Sequence, residues 1–83
     1  MIMTALERTL KARLESESSV AFVFRKSNGE LRLAHGTRNL DFVPLHQRPR
    51  HAEAESSTAM TYYDHDKRDW RSFKFGTLLR IEA

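Results

Sequence analysis

The feature that most constrains this chain is a change of period at Ser19. Before it, Leu6, Leu10 and Leu14 recur every fourth residue, the repeat of one helical face. After it, Val20, Phe22 and Phe24 alternate with Ala21, Val23 and Arg25, the repeat of a strand built from β-branched and aromatic residues. Ser27-Asn28-Gly29-Glu30 comes next, and its Asn-Gly pair tolerates the positive φ angles of a tight hairpin. Leu31 to His35 then alternates again, with Leu31 and Leu33 on one face and Arg32 and Ala34 on the other. A helix this short is unstable alone in water, so it must lie on something apolar.

Thr4 followed by Glu7 fits a capping box and sets the helix over 4–16, ended by the apolar-free Ser16 to Ser19. Gly36-Thr37-Arg38-Asn39 is expected to break the second strand. Leu40-Asp41-Phe42-Val43-Pro44 suits a single helical turn, with Leu40 and Phe42 or Val43 tucked into the core end. From 45 to 59 the sequence is polar and aperiodic, the texture of a flexible loop. Met60 to Asp64 and Trp70 to Phe75 form a second hairpin about the polar turn His65 to Asp69, and Leu78 to Glu82 a last short strand. The sum is a single domain over 1–83, mainly β: an N-terminal helix, then a five-stranded SH3-like or Sm-like small barrel over 19–82. Closure of this kind hides sheet edges that a flat arrangement would expose.

Composition removes several function classes. The chain has 83 residues and no cysteine, so disulfides, thiolate metal sites and cysteine nucleophiles are excluded. The longest apolar run, Val20 to Phe24, is far short of a membrane span. Met1-Ile2-Met3 begins no secretory signal, so the expectation is a cytoplasmic protein without membrane contact. The net charge of +3 permits phosphate backbones, anionic ligands or an acidic protein face as partners.

Gly36-Thr37-Arg38-Asn39-Leu40 with Val43-Pro44, then Tyr62-Tyr63-Asp64, Trp70-Arg71-Ser72-Phe73-Lys74 and Leu79-Arg80-Ile81, resembles the WYL_2 family across roughly residues 18–82. The resemblance implies an Sm-like SH3 β-barrel of bacteriophage or mobile-element type, acting in a bacterial host cell. It also implies kinship with larger WYL domains, which sense ligands or nucleic acid through basic and aromatic residues.

Candidate chemistry concentrates in Tyr62 to Lys74. Aromatic faces beside cations suit single-stranded nucleic acid, whose bases stack on rings while Arg and Lys hold phosphates. Trp70 and Ser72 should point one way, Arg71 and Phe73 the other. Tyr63, Arg71 and Lys74 are therefore nominated near a ligand, with Arg38, Lys67 and Arg68 as phosphate contacts. Asp64, His65, Asp66 and Asp69 lack the alternating ligand pattern of a calcium loop and enclose Lys67 and Arg68, so no metal is expected. The histidines at 35, 46, 51 and 65 match no zinc spacing, no glycine-rich phosphate loop occurs, and no nucleophile elbow is present. No catalytic residue and no cofactor is assigned. Arg48, Arg50 and the flanking histidines form either a flexible arm that orders on a phosphate or partner, or a solvated loop balanced by Glu53 and Glu55. The leucine stripe of the helix either caps the barrel or pairs with a second copy in a homodimer. The expectation is a non-catalytic module that binds nucleic acid. The alternatives are a module that inhibits or redirects a host protein, and a small-anion or nucleotide sensor.

Overall fold

The computed structural model describes residues 3–49 and 57–82. Thr4 opens helix α1 (Ala5–Ser16): its hydroxyl accepts from the Glu7 N–H at 3.1 Å, and the Glu7 carboxylate accepts from the Thr4 N–H at 2.9 Å. This reciprocal box satisfies two of the donors that a helix start leaves free. The buried face is Glu7, Leu10 and Leu14, while Leu6 stands partly exposed. Leu10 and Leu14 join the barrel's own core, so these two members of the stripe are covered within the chain and Leu6 is not.

Five antiparallel strands follow: β1 (Val20–Arg25), β2 (Leu31–Thr37), β3 (Ala59–Asp64), β4 (Asp69–Lys74) and β5 (Leu78–Ile81), in the order β4-β3-β2-β1-β5. The β1–β2 hairpin closes through Lys26 N–H to Glu30 O at 2.7 Å, and only Gly29 of its turn takes a positive φ, +89°. A turn ending in a left-handed glycine is the common three-residue solution and matches the twist of the strands. Neighbouring strands lie about 4.8 Å apart, so β1 and β4, three spacings apart, would be about 14 Å apart in a flat sheet. Instead the Phe22 and Phe24 rings sit 5.5 and 5.2 Å from that of Phe73. The sheet has curled on itself, and the aromatic rings of β1, β3 and β4 fill the interior.

That curl explains where the structure departs from the pattern. β2 does not break at Gly36; it continues through Thr37 and pairs with β3 through Gly36↔Asp64 and Thr37↔Tyr63. A Cβ at Gly36 would lie 2.6 Å from Tyr62 Cδ2 and 2.8 Å from Tyr63 O, so the bend between hairpins admits hydrogen alone. The residues opposite Val20, Phe22 and Phe24 are Gly36, Ala34 and Arg32. These are the inward positions of β2, and Leu31 and Leu33 face outward, 55% and 50% exposed. Small residues are needed there because the rings of the facing strands occupy the space.

Thr37 and Arg38 also dock the helix. Thr37 Oγ1 lies 3.1 Å from Leu14 O and 2.7 Å from Glu17 O, and the Arg38 N–H donates to Leu14 O at 2.7 Å. Asn39 then accepts from Asp41 N–H and starts the 3-10 turn Leu40–Phe42. Of the residues expected to tuck in, Val43 is buried, whereas Leu40 and Phe42 are exposed. Within the stretch expected to be a loop, Leu45–Gln47 forms a second 3-10 turn and β3 already begins at Ala59. Arg50 and His51 of the basic tract lie outside the described residues. Among the described residues, no helix is long and apolar enough to cross a membrane.

Candidate functional site

The curl leaves an open mouth between the β1–β2 turn and β4, a cleft of about 540 Å³. Its apolar floor is Phe24, Tyr62 and Phe73; Arg25, Lys26, Arg32, Arg71 and Lys74 supply its charge, and Ser27, Ser72 and Thr77 its hydroxyls. None of these lining residues is acidic. Strand register explains the set: Arg32 stands opposite Phe24, and Arg71 opposite Tyr62, so both share the inner face with the core rings and reach the rim. Stems of long cationic residues can lie on apolar surface while their heads stay wet.

Two groups give the cleft a fixed interior. The Arg32 guanidinium is held by Asp64, a fully buried carboxylate whose other oxygen accepts from the N–H groups of Asp66 (2.9 Å) and Lys67 (3.0 Å). Tyr62 is wholly buried. Burial pushes its phenol up to about 12; Arg32 and Arg71 pull it down and Asp64 pushes it further up. The rim is looser. Arg25 reaches back to Gly29 O at 2.9 Å, while Arg71 and Lys74 are exposed.

The nominated residues do not form one cluster. Arg71 and Lys74 line the cleft. Tyr63 lies on the opposite face of β3, paired with Trp70 and buried. Its ring packs edge-on against Trp70 and His65, and its hydroxyl donates to Gln47 Oε1 at 2.9 Å. It therefore presents no open face to a base. Gln47 completes a clasp on that side: its side-chain amide donates to Arg68 O at 2.8 Å, and its carbonyl accepts from Trp70 Nε1 at 2.7 Å. Lys67 and Arg68 are exposed in the β3–β4 turn, where Arg68 adopts a φ of +54°. Arg38 Nη1 donates to Thr61 O at 2.6 Å.

Three cleft cations, Arg25, Lys26 and Arg32, were missed by sequence reasoning. It grouped charges by nearness along the chain, whereas the cleft joins the first hairpin to β4 through space. The available signal was Arg32 itself, a charge placed in register with Phe24 on the inward period.

A helix-capped, five-stranded curled antiparallel sheet is the architecture of the small SH3-like, Sm-like barrels. Residues 8–79 match the WYL_2 family, described as an Sm-like SH3 β-barrel fold, and the chain belongs to that family. The match takes in most of the helix as well as the barrel. The chain is also 32% identical over 82 residues to an uncharacterized 11.5 kDa protein of the Gp31-cd intergenic region of Enterobacteria phage T4, covering 95% of this chain and 79% of that protein. It is thus a small module of phage type. No solved structure matches it.

Proposed function

We propose that this chain is a non-catalytic binding module that takes single-stranded nucleic acid into the cleft between its two hairpins. One observation carries the reading: five cationic side chains line a cleft with an aromatic floor and no acidic lining residue. Phosphates would lie along Arg25, Lys26, Arg71 and Lys74. Lys67 and Arg68, exposed in the β3–β4 turn that precedes Arg71, add two further cations to the positive track. Arg38 and Tyr63 act at one remove, the first at β3 and the second as part of the clasp behind it.

The test is anisotropy of labelled single-stranded and duplex oligonucleotides across a salt series. Submicromolar binding with a strand preference is expected. Arg71→Ala and Lys74→Ala should each lower the log–log salt slope by about 0.7, the increment for one phosphate contact on a single strand. Both side chains are exposed, so the melting temperature should hold. Affinity no greater than that of any weakly basic protein, or unchanged slopes in both variants, would remove the reading.

A second reading rests on a different surface. Leu31 and Leu33 of β2 and Leu79 of β5 are exposed leucines, which suit contact with a host protein. A stoichiometric complex that survives nuclease treatment and is lost in Leu33→Asp would favour it.

A further inference from the structure

The cleft floor holds two groups that packing alone does not explain. Tyr62 Oη is buried and has no hydrogen-bond partner among the described residues. A phenylalanine would fill the same space without leaving a polar atom unpaired, and native interiors keep few such atoms. Arg32 is the second group. A buried carboxylate anchors one of its nitrogens, and the turn's own N–H groups fix that carboxylate. The rest of the guanidinium fork is left at a set position. Arg71 stands directly opposite Tyr62 in the β3–β4 ladder, and Arg32, Tyr62 and Arg71 all line the cleft, with Asp64 holding Arg32 from behind.

We propose that Arg32, Arg71 and the Tyr62 hydroxyl form a subsite for a phosphate monoester at the floor of the cleft. This deepens the nucleic-acid reading and rests on it in taking this cleft as the ligand site. A monoester brings close to two negative charges and three unbridged oxygens, enough for two guanidinium forks and one hydroxyl donor. It also has a free end. An internal phosphodiester carries chain on both sides and one charge, so it stays at the rim. The exposed side chain of Arg71 has the freedom to close on a phosphate that reaches the hydroxyl. The same chemistry is offered by the phosphorylated end of a strand and by a free nucleotide.

The experiment separates these sources. Two single strands of one sequence, labelled at the 3′ end, carry either a 5′-phosphate or a 5′-hydroxyl. The phosphorylated strand should bind about tenfold tighter, the increment of one charge-assisted contact set. In Tyr62→Phe the ratio should fall severalfold, toward one, because one of the three donor groups is lost. Thermal melts with adenosine monophosphate against adenosine at matched ionic strength form the second arm. Stabilisation by the monophosphate that Tyr62→Phe reduces upholds the subsite even if neither strand binds, and then assigns the source to a free nucleotide while the nucleic-acid reading falls. Equal binding of both strands with no monophosphate effect overturns the subsite and leaves the nucleic-acid reading standing. A phosphate preference that Tyr62→Phe leaves undiminished overturns it as well. The variant's melting temperature should equal or exceed that of the parent protein, because only an unpaired group is removed.

Discussion

Substituting Gly36 by alanine perturbs the point on which the curl of the sheet turns. The added Cβ would stand 2.6 Å from Tyr62 Cδ2 and 2.8 Å from Tyr63 O, whereas carbon pairs settle at about 3.5–4.0 Å. The ring would have to retreat by nearly 1 Å, yet it packs edge-on against Phe22 at 5.1 Å and also against Phe73. Tyr63 O is backbone, so relief there widens the β2–β3 ladder at its Gly36↔Asp64 and Thr37↔Tyr63 pairs. Two contacts of this kind against a filled core place the cost at about 2–3 kcal/mol, the upper part of the range for overpacking. For a domain of this size that is a fall in Tm of roughly 10–20 °C. Gly29→Ala is the comparison. Its φ is +89° but nothing lies within 4 Å of the new Cβ, so only backbone strain of about 1–2 kcal/mol is expected. Circular dichroism melts of both variants decide the matter. If Gly36→Ala melts no lower than Gly29→Ala, the close approach does not constrain the fold and the account of the curl fails.

Glu7 is buried and links two parts of the chain, accepting from Thr4 N–H and, at 2.7 Å, from Gly76 N–H in the β4–β5 turn. Glu7→Ala should cost about 2–3 kcal/mol, since it removes a helix box and a charge-assisted bond from a buried carboxylate to the Gly76 N–H; a chemical-denaturation midpoint unchanged from the parent would refute this. The Tyr62 phenol, raised to about 12 by burial, should appear as a late step in the ultraviolet titration of tyrosinate, absent in Tyr62→Phe. Its folded pKa exceeds the unfolded value of about 10, so its contribution to stability is complete below that pH and lost as pH rises toward 12. A titration finished near the ordinary phenol value would contradict the burial.

Much of the secondary structure was legible because its causes are local. The Thr4–Glu7 box, the apolar period of α1, the Asn28-Gly29 turn and the alternation of β1 and β4 each depend on residues a few positions apart, and all are present. Glu7 was legible as a cap but not as a tie, since its second partner is 69 residues away. Gly36-Thr37-Arg38-Asn39 shows the limit most sharply. Its composition is that of a break, yet it carries the bend, the docking of α1 and the start of a 3-10 turn.

The sequence by itself determined α1, the central residues of the strands, where the hairpins turn, and that one inner core must be shared among them. Tertiary structure decided which face of each strand is inward. Ala34 rather than Leu33 faces the core because rings from β1, β3 and β4 converge there, a crowding that exists only after the sheet has curled. It also decided the cleft. Arg25, Lys26 and Arg32 meet Arg71 and Lys74 across more than 35 positions of chain, and charges so far apart in sequence become one site only when curvature brings their strands together.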